Sequence, residues 1–357
     1  LLMAKMFCVI GKIRHIGPSF TTNIMKYTRV QPYFPTFVPF VNLNRIYFKT
    51  MHYFSRLEST IKSNWDGIAL ANFRGETFTF GELAKQIARF HVFFETVGLK
   101  KGDKVALCAK NSARWGITFF AANTYEAVLV PILADFHPES VNSLIDHSES
   151  KVLLTDSDIW SKLDIAKMPQ IQAVFSSSDF SLLYASDEKI QKACDDLDAL
   201  FEAKYPAGFS AEHVSYPTAN DKELAIINYT SGTTSAPKGV MLRYECLSEN
   251  VSFGQKRLPC GPGDTLVSML PMAHMYGMMF ELIYPVCNGA AVYYLGKTPT
   301  PALLLGAMKE VKPYLVITVP LVMEKIFKSK VAPVINKPVM KVLTKIPGLN
   351  QVIFKKI

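Results

Sequence analysis

Residues 228–241 read NYTSGTTSAPKGVM, and this stretch decides both the fold and the chemistry of the chain. Four apolar residues at 224–227 lead into it and predict a buried strand. Positions 230–239 then hold five hydroxyl side chains, two glycines and a lysine. Backbone N–H groups in such a turn can converge on an anion, while hydroxyls and a lysine add donors and positive charge. A flexible polar surface loop is the alternative. The strand before it and the Pro237-Lys238-Gly239 exit favour a polyphosphate site.

The stretch is not a Walker loop. A P-loop requires Gly-x4-Gly-Lys-Ser/Thr. Counted from Gly232, the second glycine position holds Pro237, and the position of the metal-binding hydroxyl holds Gly239. The pattern therefore indicates a different kind of phosphate loop.

The stretch resembles the phosphate-binding loop of the adenylate-forming superfamily, which reads Tyr/Phe-Thr-Ser-Gly-Thr-Thr-Gly-x-Pro-Lys-Gly and grips the phosphates of ATP. Acyl-CoA synthetases, luciferases and amino-acid adenylation domains belong to that superfamily. The resemblance implies that the ATP-binding residues are Thr230, Ser231, Gly232, Thr233, Thr234, Lys238 and Gly239. It also implies that Lys238 and Thr233 act in catalysis and that Thr230 contacts Mg²⁺. The chain departs from the pattern at Ser235, where the family usually has glycine, so a positive φ there would be strained.

Charge and cysteines exclude several classes of protein. The net charge is +9, but residues 1–50 hold seven basic residues and no acid, so the remaining chain carries 32 basic against 30 acidic side chains. Such a balance gives no reason to expect a nucleic acid partner. The six cysteines form no C-x-x-C pair and no metal-ligand spacing, which favours core thiols in a reducing compartment.

Residues 1–50 differ in character from the rest of the chain. This leader is basic, acid-free and rich in proline and aromatic residues, and it shows no helical or strand period. Two interpretations are open: an organellar transit peptide, or upstream sequence before a true start at Met51. The second is favoured because no amphipathic Arg/Ser-rich helix is evident, and the leader is expected to be disordered or not native.

From Met51 onward the chain alternates between strand and helix patterns. Strands are expected at 67–73, 104–109, 128–132, 151–155, 171–176, 224–227, 265–270, 290–295 and 314–319. Helices are expected at 54–61, 112–124, 138–147, 159–167, 241–256, 277–287, 301–311 and 321–328, and also after the segment TFTFGELA at 77–84. This rhythm predicts an α/β fold with mainly parallel sheets, built as two successive βα arrays. The expected domains are 51–223 and 224–357, the second incomplete.

A second motif, LPMAHMYG at residues 270–277, comes directly after a predicted strand, where open α/β sheets place their ligand sites. It resembles the superfamily's Leu-Pro-x-x-His motif, whose histidine lies between the acyl pocket and the adenylate. The resemblance implies that His274, Met275 and Tyr276 contact substrate. A satisfied core histidine is the alternative. The nearby methionines are either ordinary core or an adaptable wall for a flexible chain, and these are Met269, Met272, Met275, Met278 and Met279.

Residues 280–299 and 311–326 look specifically like long-chain fatty acyl-CoA synthetases, in which these later strands line the acyl tunnel. The superfamily's downstream parts, a Tyr-Gly-x-Thr-Glu segment with a magnesium-binding glutamate, a ribose-binding aspartate and a catalytic C-terminal lysine, are not found after Phe327. The resemblance therefore implies an incomplete enzyme that does not make acyl-CoA by itself.

The function implied by the resemblance is activation of a long-chain fatty acid with ATP and Mg²⁺ to an acyl-adenylate, followed by thioester formation with coenzyme A. Two alternatives remain: an adenylating enzyme for another carboxylic acid, and a non-catalytic remnant that binds nucleotide or acyl chains. The expected location is the cytoplasm, with contact at a membrane surface left open. Chain-length preference and oligomeric state are not predicted.

Overall fold

The computed structural model describes residues 8–10, 50–218, 220–230, 238–297 and 299–319, together with Glu324, Lys328 and Pro333. Most of the leader at 1–50 and of the helix expected at 321–328 lies outside the described residues. Within them, strands alternate with helices and pair mainly in parallel, which confirms the predicted α/β class.

The strands are named in chain order. They are β1 (Cys8–Ile10), β2 (Ile68–Asn72), β3 (Thr77–Thr79), β4 (Lys104–Cys108), β5 (Val128–Pro131), β6 (Ser150–Thr155), β7 (Ala173–Ser176), β8 (Leu182–Ala185), β9 (Leu224–Thr230), β10 (Lys238–Arg243), β11 (Thr265–Ser268), β12 (Ala291–Tyr294) and β13 (Val316–Thr318).

The helices are named in the same way. They are α1 (Tyr53–Ser63), α2 (Phe80–Val97), α3 (Ala113–Thr124), α4 (Pro138–Ser148), α5 (Ser157–Trp160), α6 (Glu188–Asp195), α7 (Leu197–Lys204), α8 (Tyr244–Arg257), α9 (Met275–Met278), α10 (Tyr284–Cys287) and α11 (Pro301–Val311). A π-helical segment, Met279–Ile283, joins α9 to α10. Short 3-10 turns cover Ile165–Lys167 and Ala211–His213.

The strands form two main sheets. The seven-stranded sheet has the order β10-β9-β5-β4-β6-β7-β8, in which the inner five strands are parallel and the two edge strands are antiparallel. The four-stranded sheet has the order β11-β12-β2-β3, and only β3 is antiparallel. An isolated bridge between Leu266 and Leu315 brings the chain just before β13 against β11.

Each sheet takes strands from both sides of residue 223. The strands β9 and β10 complete the seven-stranded sheet of the preceding array, while β2 pairs with β12 of the following one and β3 pairs with β2. The division of the chain into units at 51–223 and 224–357 stays a prediction.

The seven-stranded sheet has a core on each of its faces, and successive side chains of a strand enter the two cores in turn. In β4, Val105 and Leu107 enter the main core, whereas Ala106 and Cys108 enter a second core that includes residues of α4. The main core also receives residues of α2, α3 and the smaller sheet. Continuous apolar strands are typical of parallel sheets covered on both sides.

Three elements differ from the sequence prediction. The predicted helix at 159–167 is wrong: α5 ends at Trp160, and the Asp164 side chain accepts a hydrogen bond from the Ala166 N–H at the start of a 3-10 turn. Two edge strands, β8 and β10, are absent from the prediction, and β10 occupies the first residues assigned to a helix at 241–256. The residues of edge strand β8 are half-buried and those of β10 are mostly exposed, so neither strand has the buried apolar run that predicts an inner strand.

The segment TFTFGELA leads a strand into a helix, as expected. Thr79 caps α2 by accepting a hydrogen bond from the Glu82 N–H at 3.1 Å, and the Glu82 carboxylate accepts one from the Thr79 N–H at 2.7 Å. This reciprocal pair satisfies two backbone donors at the helix start. Among the described helices, none is both long and apolar enough to cross a membrane.

Asn123 joins β9 to three helices inside the main core. Its Oδ1 accepts a hydrogen bond from the Tyr53 hydroxyl at 2.7 Å, and its Nδ2 donates to the Ala225 carbonyl at 3.1 Å. Its own carbonyl accepts a hydrogen bond from the Tyr244 hydroxyl at 3.1 Å. The position of β9 therefore depends on this one buried amide as well as on the sheet.

We predict that Asn123→Leu lowers the free energy of unfolding by roughly 1–3 kcal/mol. The variant removes the amide donor to the Ala225 carbonyl and leaves the buried Tyr53 hydroxyl without its acceptor, and an orphaned group costs about 1–3 kcal/mol. Urea denaturation measures the loss. Adding Tyr53→Phe should recover part of it, because the orphaned hydroxyl is then gone. An Asn123→Leu variant as stable as the parent chain would contradict this role.

Candidate functional site

The predicted phosphate loop connects two antiparallel strands, β9 and β10. Strand β9 ends at Thr230 and β10 begins at Lys238, and these two residues are direct partners in the register. Their Cα atoms are therefore about 4.5–5.5 Å apart. The loop residues between them, which include the predicted Ser231, Gly232, Thr233 and Thr234, lie outside the described residues, and their roles stay predictions.

Thr230 and Lys238 share one face of this hairpin. Cross-strand partners point to the same side of a sheet, and so does the residue two positions earlier in the strand, Asn228. Both Thr230 and Lys238 are exposed, whereas Asn228 is buried. The Asn228 Nδ2 donates a hydrogen bond to the Ala273 carbonyl at 2.8 Å. The hydroxyl and the ammonium group thus lie on the face that carries the second motif.

The opposite face of the hairpin is occupied by Tyr229. Its hydroxyl is 2.7 Å from Nδ1 of His147, and its ring packs in the second core. A Cβ atom added to Gly239 would lie 2.9 Å from Cγ2 of Ile227 and 3.3 Å from Cε1 of Tyr229. A larger side chain at Gly239 would therefore clash with its neighbours on this face. The contact of Gly239 with phosphate stays a prediction.

The second motif is held by two side-chain amides of the large sheet, one within β9 and one just after β4. We call residues 270–274 the histidine segment. Asn111, just after β4, donates from Nδ2 to the Leu270 carbonyl at 2.6 Å and accepts from the Met272 N–H at 2.9 Å. With the Asn228 bond to Ala273, three side-chain hydrogen bonds fix the path of a backbone that belongs to neither helix nor strand.

His274 is exposed at the end of this segment and directly precedes α9. The alternative that it is a satisfied core histidine is therefore wrong. The predicted Met275 and Tyr276 are half-buried and pack against the main core. Gly277 permits the tight turn, because an added Cβ would lie 2.5 Å from the Pro271 carbonyl oxygen. The structure brings these three predicted residues onto one short turn.

The methionines near His274 divide into two groups. Met272, Met278 and Met279 are buried in the main core, as the ordinary-core interpretation expects. Met269 and Met275 are only partly buried, and Met269 lines a cavity. Only this second group has surface that a ligand can reach.

That cavity has a volume of about 250 Å³ and lies where the carboxyl ends of β4, β5, β11 and β12 meet. Its wall includes Met269, Pro271 and Ala273 from the histidine segment and its approach. Two lysines also line it, Lys110 and Lys297. The carboxyl ends of parallel strands are the usual ligand-binding edge of an α/β sheet. Asn111 and these lysines belong to no motif that the sequence shows, although each comes shortly after a predicted strand.

A buried carboxyl group lies directly behind this wall. Glu281, in the π-helical segment, is 0% exposed, and its Oε2 accepts three hydrogen bonds. The donors are the Ser268 hydroxyl at 2.9 Å, the Met269 N–H at 3.0 Å and the Leu270 N–H at 2.9 Å. Its Oε1 is buried without a partner. Burial raises the pKa of Glu281 to about 8, although the three donors act to lower that pKa.

Comparison with known proteins gives a consistent result. The family model described as "AMP-binding enzyme" matches residues 57–351. Probable acyl-activating enzyme 16, chloroplastic, of Arabidopsis thaliana is 27% identical over 261 residues, which are 71% of this chain and 36% of that protein. The long-chain-fatty-acid–CoA ligase ACSBG2 of Homo sapiens is 28% identical over 240 residues, or 64% of this chain and 34% of that protein. The chain thus spans about a third of the length of these curated relatives.

Solved structures share the fold. The anthranilate CoA ligase AuaEII in complex with anthranoyl-AMP superposes with a TM-score of 0.62 at 18% identity, covering 73% of this chain and 48% of that one. ATP-bound MatB from Rhodopseudomonas palustris gives a TM-score of 0.59 at 21% identity, covering 72% of this chain and 48% of that one. At these identities the likeness concerns the fold alone.

We predict that Glu281 makes stability depend on pH. Its folded pKa of about 8 lies above the ordinary value of 4.5, so the folded state holds a proton that the unfolded state has released between these values. The free energy of unfolding should therefore fall as pH rises toward about 8, by up to about 1.4 kcal/mol per pH unit, and then level off. Urea denaturation of the parent and of Glu281→Gln from pH 6 to 9 measures it. A difference between the two that is constant over this range would contradict the prediction.

Proposed function

Because the chain belongs to the AMP-binding enzyme family, we propose that it carries the ATP- and acid-binding part of an enzyme that activates a long-chain fatty acid. In the proposed reaction, a carboxylate oxygen of the acid attacks the α-phosphorus of ATP. An oxygen–phosphorus bond forms as the bond to pyrophosphate breaks, which leaves an acyl-adenylate. The thiolate of coenzyme A then attacks the acyl carbon and AMP leaves.

One observation carries the proposal: Thr230 and Lys238 face the same side of the hairpin as the histidine segment. Phosphate held at the mouth of the hairpin would lie beside His274 and the cavity wall. Negative charge on the phosphates increases during pyrophosphate release, so a fixed ammonium group beside them stabilises the transition state. Lys238 would supply that charge, with Thr230 and the predicted Thr233 as hydroxyl donors.

Thr230 also suits the proposed Mg²⁺. This ion usually keeps several waters and takes one or two protein oxygens together with the phosphates of its nucleotide. An exposed hydroxyl at the mouth of the hairpin can be one such ligand. Bound there, the ion would neutralise phosphate charge during adenylation.

Two similar proteins are named for different acid substrates. ACSBG2 is named a long-chain-fatty-acid–CoA ligase, whereas AuaEII is named an anthranilate CoA ligase. The partly buried methionines beside the histidine segment favour a flexible chain, because thioethers adapt to varied shapes. We therefore propose a long-chain acid, and coenzyme A as its acceptor. The cytoplasmic location, with contact at a membrane surface left open, stays a prediction.

We predict that the chain binds a palmitoyl-adenylate mimic, with a sulfamoyl group in place of the phosphate, more tightly than the anthraniloyl mimic. Each buried methylene contributes about 0.8 kcal/mol, so affinity should rise in steps from the octanoyl to the palmitoyl compound. Isothermal titration calorimetry measures the affinities without requiring turnover.

Three results would revise the proposal. Tighter binding of the anthraniloyl mimic would assign another class of acid. Binding of ATP with no binding of any acyl mimic would identify a nucleotide-binding remnant. Binding of neither would overturn the proposed site.

We predict that Lys238→Ala weakens binding of Mg²⁺-ATP by roughly ten- to hundredfold while the fold persists. A charge-assisted hydrogen bond is worth about 1.5–3 kcal/mol. Lys256→Ala, an exposed lysine on α8, is the matched control and should leave ATP affinity unchanged. Equal affinities for the parent and the folded Lys238→Ala variant would remove Lys238 from the site.

A further inference from the structure

Glu281 is an unusual residue to find behind a ligand-binding wall. It is fully buried, and no cation faces it within the described part of the chain. A buried carboxyl group costs stability unless its hydrogen bonds compensate, and here one of its two oxygens has no partner. An apolar side chain in the same place would avoid that cost. The carboxyl group of Glu281 therefore requires an explanation other than packing.

All three donors to Glu281 lie on consecutive residues, Ser268, Met269 and Leu270. These residues end β11 and lead directly into the histidine segment. Two of them, Ser268 and Met269, also line the cavity. The Glu281 carboxyl group thus holds the point at which the chain leaves the sheet and begins to form the wall.

Glu281 lies within the π-helical segment. The wider i→i+5 turn at Met279–Ile283 separates helix α9 from helix α10. Such turns are frequent at functional sites. Here Glu281 lies seven residues after His274, so the same helical stretch begins at the exposed histidine and carries the carboxyl group that braces the segment before it.

The groups facing Glu281 are few. Ser268 approaches it from β11, and Tyr294 on β12 is close enough for the Glu281 charge to help raise its pKa. The Tyr294 hydroxyl is also buried without a partner. With none of its surface exposed, the Glu281 carboxyl group is isolated from solvent.

We propose that Glu281 is a positioning residue, which fixes the exit of β11 and thereby sets the shape of the acid-binding wall formed by Met269 and the histidine segment. The inference deepens the proposed function and rests on it where acid binding is concerned. Glu281 touches no reacting atom. It acts through the backbone of Met269 and Leu270.

The first test measures the backbone itself and requires no ligand. In Glu281→Leu, hydrogen–deuterium exchange of a peptide covering residues 268–274 should accelerate at least tenfold. A peptide from β9, residues 224–230, should be unchanged. Glu281→Gln keeps an acceptor oxygen and should exchange within threefold of the parent. Unchanged exchange at 268–274 in a folded Glu281→Leu variant would overturn the inference.

The second test separates positioning from general stability. In Glu281→Leu, affinity for the palmitoyl-adenylate mimic should fall at least tenfold, and the increase in affinity from octanoyl to palmitoyl should flatten. Affinity for Mg²⁺-ATP should stay within twofold. Glu281→Gln should retain the gradient, and Glu249→Leu, at an exposed position on α8, is the control. A parallel loss of ATP and acyl affinity would indicate a merely structural role and contradict the inference.

A further variant covers the case in which Glu281→Leu does not fold. Ser268→Ala removes one of the three donors and leaves the two backbone bonds, so it should show smaller changes in the same direction. A folded Ser268→Ala chain with parental exchange and parental chain-length gradient would count against positioning. If the parent chain binds ATP but no acyl mimic, the proposed function fails, while the exchange experiment still decides whether Glu281 holds the segment.

Discussion

The hydrogen bond from Asn228 to the Ala273 carbonyl is the constraint on which the site depends. This bond joins the two sheets. Asn228 belongs to β9 of the larger sheet, and Ala273 lies after β11 of the smaller one. Without it, the mouth of the hairpin and the histidine segment would be separate surface features. Because Asn228 is buried, this bond is shielded from water, and an unpaired amide there would be costly.

Other side-chain amides extend the same principle. Asn123 holds β9 against the helices, and Asn111 holds the histidine segment against β4. In each case a short side chain supplies hydrogen bonds to the backbone of a distant element. Buried polar groups of this kind specify one arrangement of the chain, because alternatives leave donors or acceptors unpaired. Glu281 does so with a carboxyl group, at a higher cost in stability.

Local patterns in the sequence account for much of the fold. Apolar runs such as 104–109 and 151–155 predict strands close to β4 and β6, and the Pro-led run at 301–311 coincides with α11. Edge strands are harder: Val240 and Met241 in β10 are 44% and 69% exposed, so they lack the burial that makes a strand pattern visible. Each sheet combines strands from both halves of the chain. This arrangement depends on contacts between residues that are distant in sequence, and local sequence patterns do not predict such contacts.

The site residues likewise divide into those that the sequence predicts and those that it does not. Thr230, Lys238 and His274 could be identified because their motifs are compact. Asn111, Lys110 and Glu281 could not, because a lone amide, lysine or glutamate carries no signal until the topology brings strand ends together. The exposure of His274 likewise depends on the turn formed by Pro271 and Gly277, and residue type alone does not predict it.

The most direct test of the whole account is a crystal structure of the chain with Mg²⁺-ATP. We expect the phosphates at the mouth of the hairpin, on the face of Asn228, within hydrogen-bond distance of Lys238 Nζ and the Thr230 hydroxyl and beside His274. Phosphates bound on the opposite face near Tyr229 and His147, or between Lys110 and Lys297 away from the hairpin, would contradict it.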